Sequence, residues 1–232
     1  MKQMALKVAS TLLGLGLILS NPAHAGAIIY DNGAPAPNSG YIGVVVLVDI
    51  ADDFTLGDTS VVADAHWFGQ YYNVDQAGSS PSNDNFTVRL LNDDGTGTMP
   101  DSGAGQTLFT GNPNRQIVGQ IDVYPDDPET DLLVDVFKYS VAFEPVTLAP
   151  GKHWLAIFND LDESWMWIWL TSMPAEAGSE VAIYSSGTWD SNDDGVTALS
   201  FALSTVPEPG TLALFGLGLA GLGAIRRKKL AA

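Results

Sequence analysis

Apolar and polar residues alternate along much of the chain, and this alternation predicts β-strands. In the clearest case, residues 85–90, every second side chain from Phe86 onward is apolar and those between are polar, which is typical of a half-buried strand. The same signal predicts eight further strands, at 43–49, 61–68, 116–123, 132–143, 153–158, 164–170, 180–184 and 198–204.

Segments rich in Gly, Ser, Asn and Asp separate these strands, and those at 76–84 and 93–106 predict surface loops. The middle of the chain has no amphipathic helix of three turns. Nine short strands with turn-rich spacing favour an all-β fold over a parallel α/β sheet. We therefore predict a two-sheet β-sandwich of jelly-roll type.

The first 25 residues have the organisation of a secretory signal peptide. Lys2 and Lys7 precede an apolar run at 8–19, and the triplet Ala-His-Ala at 23–25 supplies the small residues that a signal peptidase requires. The competing interpretation, a transmembrane anchor, needs a longer apolar run. We expect signal peptidase to cleave after Ala25, and the mature chain to be exported.

A second apolar segment, residues 211–225, lies near the end of the chain. As a helix it would span about 22 Å, less than the roughly 30 Å of bilayer hydrocarbon, so it would insert with local thinning or snorkelling. The basic tail 226–232 begins with four cations, which stay on the cytoplasmic side of a membrane. The pattern predicts a short transmembrane helix with the preceding linker, 204–210, outside.

This linker contains Pro207, Glu208 and Pro209, and the two prolines keep its backbone extended and accessible. The order of Pro-Glu-Pro, apolar helix and basic cluster over residues 206–232 resembles the PEP-CTERM sorting domain of Gram-negative bacteria. In that family the tag is recognised by exosortase, a membrane transpeptidase-like cysteine protease. The resemblance implies that exosortase is a partner and that the three linker residues form its recognition site. The alternative is an ordinary tail anchor with a chance Pro-Glu-Pro linker.

The resemblance also implies a location. Such proteins generally occur in organisms that make extracellular polysaccharide, so this polysaccharide is a candidate partner. We expect an inner-membrane intermediate, held by the C-terminal helix, and then delivery to the cell surface or the extracellular space. The segments 50–56, 85–90 and 148–155 weakly resemble β-sandwich domains that are common in PEP-CTERM proteins.

Composition limits what the domain between the two ends can be. Residues 26–203 are enough for one β-sandwich domain with a sizeable core. The chain has no Cys, which excludes disulfides, thiolate metal sites and cysteine nucleophiles. Residues 26–206 hold four cations and 26 acidic residues, a formal net charge of −22. Such a charge repels nucleic acid and anionic membranes, and it also serves solubility.

Three tryptophans alternate in the segment 165–169. A strand would place Trp165, Trp167 and Trp169 on one face, where exposed indoles could stack on the C–H faces of sugar rings. Large aromatic side chains are more often core residues, so a buried strand is the favoured interpretation. The glycan-contact interpretation makes the protein lectin-like.

An acidic segment further along the chain matches the opening of a calcium loop. Asp190, Asn192 and Asp194 have the alternating spacing of oxygen ligands, and Gly195 follows, but Phe201 stands where the closing Glu belongs. We favour an acidic turn without metal and expect no cofactor, with Ca²⁺ as the alternative. His66 and His153 are too few for a zinc site without carboxylates.

No catalytic motif stands out. The chain has no G-x-S-x-G elbow, P-loop or H-E-x-x-H sequence, and its many acids make no particular glycosidase-like pair informative. We therefore expect an exported surface or extracellular-matrix protein with a non-catalytic acidic sandwich. The alternatives are a carbohydrate-binding module of the exopolysaccharide matrix and, third, a glycosidase-like enzyme.

Overall fold

A computed structural model describes the residues at 26–35, 43–45, 49–72, 80–103, 105–122, 133–160, 165–173, 179–185, 187–191 and 198–205. These ranges contain fifteen strands. In chain order they are β1 (Ile28–Asp31), β2 (Ala34–Pro35), β3 (Gly43–Val45), β4 (Asp49–Leu56), β5 (Ser60–Tyr72), β6 (Phe86–Asn92), β7 (Gln106–Gly111), β8 (Asn114–Asp122), β9 (Leu133–Leu148), β10 (Gly151–Asn159), β11 (Met166–Leu170), β12 (Ser172–Met173), β13 (Val181–Ser185), β14 (Thr188–Ser191) and β15 (Phe201–Ser204).

The strands form two large antiparallel sheets and a small two-stranded one, β2 with β12. The long strand β5 is the centre of the seven-stranded sheet. One of its edges pairs with β9, which in turn pairs with β8. Its other edge pairs with β15 along one part and with β11 along the next, and these strands lead to β1 and β3. The six-stranded sheet has the order β14-β13-β4-β10-β6-β7.

The two large sheets share one aromatic core. Trp67 of β5 contacts Phe86 of β6, with ring centroids 5.2 Å apart, and Phe86 also meets Trp167 of β11 at 4.9 Å. Near the other end, Phe54 of β4 lies 6.1 Å from Phe201 of β15. Each contact joins one sheet to the other, and all of these side chains are buried. The described domain is therefore a two-layer β-structure in which the inner faces of the sheets pack together.

The all-β prediction is confirmed, because the described residues contain strands and no helix. Within these residues, accordingly, no helix has the length and apolar character needed to cross a bilayer. The jelly-roll order of strands stays a prediction. The predicted signal peptide and C-terminal transmembrane helix lie outside the described residues, and the predicted domain boundaries likewise stay predictions.

Several strands were not predicted from the pattern, namely β1, β2, β4, β7, β12 and β14. The most informative is β4, because Asp52 and Asp53 interrupt its apolar alternation although both are buried. β9 has 16 residues and β5 has 13, both longer than predicted. Within the described residues, the segment predicted as a loop at 93–106 contains no strand before Gln106, which begins β7.

Candidate binding cleft

The predicted glycan platform at the alternating tryptophans is wrong for two of the three indoles. Trp167 is 1% exposed and Trp169 is fully buried, and both belong to the core between the sheets. The indole N–H of Trp169 donates to the carbonyl oxygen of Ser200 at 3.1 Å. Trp165 is partly buried, with its ring 6.1 Å from that of Tyr71. The favoured interpretation, a buried strand, is therefore correct at these two positions, which have no surface for a sugar.

The other predicted site residues are only partly within the described chain. Asp190 is an exposed residue of β14, paired across the hairpin with Ile183, and its carboxylate accepts a hydrogen bond from Ser185. Asn192 and Asp194 lie outside the described residues, as do Ala25, Pro207, Glu208 and Pro209. Among the residues that the structure does describe, no group of three His, Asp or Glu side chains could hold a metal ion.

The two predicted structural histidines lie on different sheets. His66 Nε2 is 2.7 Å from a carboxylate oxygen of Asp64, its neighbour two residues earlier in β5. His153 of β10 lies with Nε2 2.9 Å from the carbonyl oxygen of Ala149. Each imidazole therefore contacts its own stretch of chain, which fits the structural role inferred from sequence.

Two neighbouring carboxyl groups of β4 are buried and bind other segments of the chain. Asp52 Oδ2 accepts hydrogen bonds from Asn32 Nδ2 at 2.8 Å and from the backbone N–H of Leu199 at 2.6 Å. Burial raises the pKa of Asp52 well above its usual range, against the lowering effect of the Leu199 N–H. Asp53, on the opposite face of the strand, is 2.5 Å from Lys152 Nζ. Both groups are thus engaged in holding the fold together.

A second buried polar cluster lies at the end of the core near Trp165. Asp84 Oδ1 accepts a hydrogen bond from the hydroxyl group of Tyr71, and Arg115 Nη1 lies 3.3 Å from Asp84 Oδ2. Arg115 also donates to the carbonyl oxygen of Pro81 at 3.0 Å, and its guanidinium is 4.7 Å from the ring centroid of Phe137. Asp84 has little exposed surface, so this cluster offers a soluble ligand no access to its carboxylate.

A cleft lies on the outer face of the six-stranded sheet, where polar groups are accessible. Arg89 of β6 forms an ion pair with Asp49 of β4, and the two side chains are 22% and 18% exposed. Both point away from the core, because Ile50 and Val88, their neighbours in the strands, are fully buried in it. Burial lowers the pKa of Arg89, and the adjacent Tyr184 counteracts this change. The cleft has a volume of about 210 Å³.

The floor beside this ion pair is made shallow by small residues. Ala182, Ala51 and Ala156 are directly opposite one another on three neighbouring strands, and Arg89 is the next member of the row. A methyl side chain projects little from a sheet, so larger neighbours can lie over the row. Trp189 packs against this group from the edge of the sheet.

Two aromatic side chains form one wall of the cleft. Tyr184 of β13 and Trp189 of β14 are opposite each other in a hairpin, with ring centroids 5.2 Å apart and planes at 57°. The chain turns there at Gly187, whose φ of 92° suits a residue without a side chain. Both rings are partly buried and both line the cleft. Tyr184 is also opposite Asp49 in the sheet, which places aromatic and charged groups together.

The loop between β6 and β7 forms another wall of the cleft with Ser102 and Gly103. Asp93 fixes its conformation, because Asp93 Oδ1 accepts hydrogen bonds from the backbone N–H groups of Gly95 and Gly97 at 2.8 and 3.0 Å. Asp93 Oδ2 accepts the indole N–H of Trp154 at 3.2 Å, which ties the loop to the sheet. The wall is therefore held by specific contacts.

Comparison with known families identifies both parts of the chain. The family described as a domain of unknown function, DUF7901, matches residues 32–209, most of the sequence. The chain belongs to the DUF7901 family. The PEP-CTERM protein-sorting motif matches residues 205–228, so the predicted resemblance to this motif is confirmed. Searches of the curated proteins and of the solved structures gave no match.

The sorting motif establishes the destination of the DUF7901 domain. A PEP-CTERM protein is exported and sorted to the cell surface, with exosortase as its processing partner. The predictions of export and of exosortase as partner are therefore confirmed.

The cleft in the DUF7901 domain was not found by sequence reasoning. The alternation in β6 did indicate that Arg89 faces away from Phe86 and Val88, and Arg89 is one of only four cations between residues 26 and 206. Its partner Asp49 is 40 positions earlier and two strands away, across β10. Only the strand order brings the two together, and no local signal carries that order.

Proposed function

We propose that the DUF7901 domain is a non-catalytic module that exosortase sorting delivers to the cell surface or to the extracellular polysaccharide matrix. The observation that carries this proposal is the sorting motif at 205–228, directly after the last described strand. In this arrangement the C-terminal segment directs the folded domain to its location. The domain then acts outside the cell by contact with other molecules.

The state of the buried carboxyl groups supports a non-catalytic role. Asp52, Asp53 and Asp84 are the buried acids in the described ranges, and each is bonded to neighbouring strands or loops. A general acid or nucleophile must instead reach a substrate. Three of the domain's four cations, Arg89, Arg115 and Lys152, form ion pairs with aspartates in the same way. The charges of Arg115 and Lys152 stabilise the fold in this way, and we expect the module to work without a cofactor.

The route proposed for the protein follows from its two ends. Signal peptidase removes residues 1–25, and the segment 211–225 holds the chain in the inner membrane with its basic tail inside. Exosortase then acts at Pro207, Glu208 and Pro209. The released domain carries a net charge of −22, which favours solubility and disfavours nucleic acid as a partner.

Cell fractionation of the wild type and a Glu208→Ala variant tests this route. We expect wild-type protein outside the inner membrane and shortened at its C-terminus, and the variant retained in the membrane at full length. Glu144→Ala, an exposed glutamate of β9, is the matched control and should behave as wild type. Identical processing and location of Glu208→Ala would contradict the route.

Incubation with polysaccharide tests the non-catalytic role. The purified protein is mixed with extracellular polysaccharide from the producing strain, and the chain length of the polymer is followed by size-exclusion chromatography. We expect no shortening over time. Time-dependent shortening that disappears on heat denaturation of the protein would establish the competing function, a glycosidase.

A further inference from the structure

We propose that the cleft formed by Asp49, Arg89, Tyr184 and Trp189 binds a neutral pyranose ring of an extracellular glycan. This inference rests on the proposed function, since it names the ligand of the delivered module. It assigns lectin-like binding to the outer face of the six-stranded sheet, away from the buried tryptophans of β11.

The ion pair supplies donors and acceptors for sugar hydroxyl groups. A guanidinium carries five N–H donors and a carboxylate has about four acceptor positions, so one contact between Arg89 and Asp49 uses only part of this capacity. Neighbouring hydroxyls of a pyranose can each donate to a carboxylate and accept from a guanidinium. Hydrogen bonds to charged groups are stronger than those between neutral groups. Both side chains are partly exposed, so a ligand can reach them.

The aromatic wall supplies the apolar contact that a sugar ring needs. The C–H face of a pyranose suits a flat π surface, and an indole also carries an N–H donor for a hydroxyl. Trp189 packs on one side against the cluster of Ala51, Trp154 and Ala182, and it also lines the cleft. A ring already held in place loses little conformational entropy on binding. Tyr184 extends the same wall.

Charge and size select the ligand class. The Arg89–Asp49 pair is neutral as a unit, and the domain around it has a net charge of −22, which opposes uronic acids and sulfated sugars. A volume of about 210 Å³ is below the roughly 300–1,000 Å³ of pockets for drug-sized ligands. The cleft is therefore suited to one ring of a longer chain that continues into solvent.

Binding measurements on the full chain, purified in the form in which the producing cells accumulate it, test the inference. Affinity electrophoresis is run with dextran, xylan and mannan as neutral polymers, alginate as the anionic one, and extracellular polysaccharide from the producing strain. We expect binding to at least one neutral polymer and weaker binding to alginate. Trp189→Ala and Asp49→Asn should each weaken binding by roughly tenfold or more.

Two further variants separate the cleft from general effects on the fold. Trp189→Phe keeps a flat ring and should retain binding within about threefold. Trp165→Ala changes the partly exposed tryptophan at the other site inferred from sequence, and should bind as wild type. Thermal unfolding followed by circular dichroism checks that each variant is folded. If Trp189→Ala melts below the assay temperature, Tyr184→Ala replaces it as the variant expected to weaken binding.

The outcomes distinguish this inference from the proposed function. Three results would each overturn the neutral-glycan cleft. They are no binding of wild type to any neutral polymer, stronger binding to alginate than to the neutral polymers, and unchanged binding in folded Trp189→Ala. Loss of binding in folded Trp165→Ala alone would also overturn it. Binding is measured on purified protein, so a failure of sorting leaves it unaffected. Shortening of a bound polymer would refute the non-catalytic proposal while supporting the cleft.

Discussion

The hydroxyl oxygen of Ser179 lies 3.2 Å from Oδ1 of Asp52, a carboxyl group that is buried completely. The same hydroxyl is 3.1 Å from Oδ1 of Asp53, which is paired with Lys152. A hydroxyl has one proton to donate. The Ser179 hydroxyl therefore donates to one of two carboxyl oxygens, Asp52 Oδ1 or Asp53 Oδ1. Burial raises the pKa of Asp52 well above its usual range, and the nearby charge of Asp53 adds to this rise.

An Asp52→Asn variant tests whether this carboxyl group folds in the neutral form. The amide oxygen can accept from Asn32 and Leu199 while the amide nitrogen donates to Ser179. Because the folded pKa of Asp52 is raised, its stabilising effect is complete below the unfolded pKa of about 3.9 and is lost as pH rises through the folded value. Above pH 4, we therefore expect the free energy of unfolding of the variant to rise relative to that of wild type, by up to about 1.4 kcal/mol per pH unit.

Urea unfolding of both proteins between pH 4 and pH 8 measures this difference. Acidic groups that do not interact with Asp52 affect both proteins equally, so their contributions to the free energy of unfolding cancel in the comparison. A variant that loses stability relative to wild type as pH rises would show that Asp52 is ionised in the fold.

Replacement of Arg115 by Met should destabilise the domain strongly. The change leaves the buried carboxylate of Asp84 without its cation, and breaking a buried pair costs roughly 3–5 kcal/mol, with the low end expected because Arg115 is partly exposed. Lys138→Met is the control, since Lys138 lies 6.0 Å from the ring centroid of Phe68, and should cost no more than about 1 kcal/mol. The free energy of unfolding is measured in urea. Equal effects of the two changes would refute the pairing argument.

Two tyrosines should resist ionisation in the folded protein. Burial, more than any other cause, raises the pKa of Tyr71 and Tyr139 far above the ordinary value of about 10. Their neutral state supports the fold below pH 10, and this support is lost as pH rises through the folded values. Tyrosinate absorbance at pH 12 should show at least two fewer ionised groups than in urea, out of seven tyrosines. Full ionisation without unfolding would contradict the burial of these rings.

Gly69 of β5 should not tolerate a methyl group. A Cβ atom at this position would overlap Nε1 of Trp167 and lie 2.9 Å from the carbonyl oxygen of Ile168. The indole is buried and cannot move aside, so Gly69→Ala should cost about 1–3 kcal/mol. Gly57→Ala, where a Cβ would meet no atom within 4 Å, should change stability by less than about 0.5 kcal/mol. A Gly69→Ala protein as stable as wild type would place Trp167 elsewhere.

The local alternation of apolar and polar residues was sufficient to predict a strand where one face of the strand is buried and the other is not. The segment predicted at 85–90 is β6, with Phe86 and Val88 buried and Arg89 facing outward. The alternation did not predict a strand where tertiary contacts bury polar residues, as at Asp52 in β4. The acidic composition around Asp190 resembled a metal loop, so the hairpin strand that carries Trp189 was missed.

Prediction of the candidate cleft requires information that the alternation of residues does not contain. Alternation places the indoles of β11 on one face of a strand, but which face is covered depends on the second sheet. Likewise, Asp49 and Arg89 meet only because β10 lies between their strands. The sorting motif, by contrast, is contiguous in the sequence, and it was predicted at the positions where the family comparison finds it.

Quantification of the mature protein in isolated extracellular matrix, inner membrane and cytosol tests the central claim most directly. We predict that most wild-type protein lies outside the cell and sediments with the polysaccharide, in a form that has lost its C-terminal segment. Accumulation of full-length protein in the cytosol, with none outside, would contradict the account.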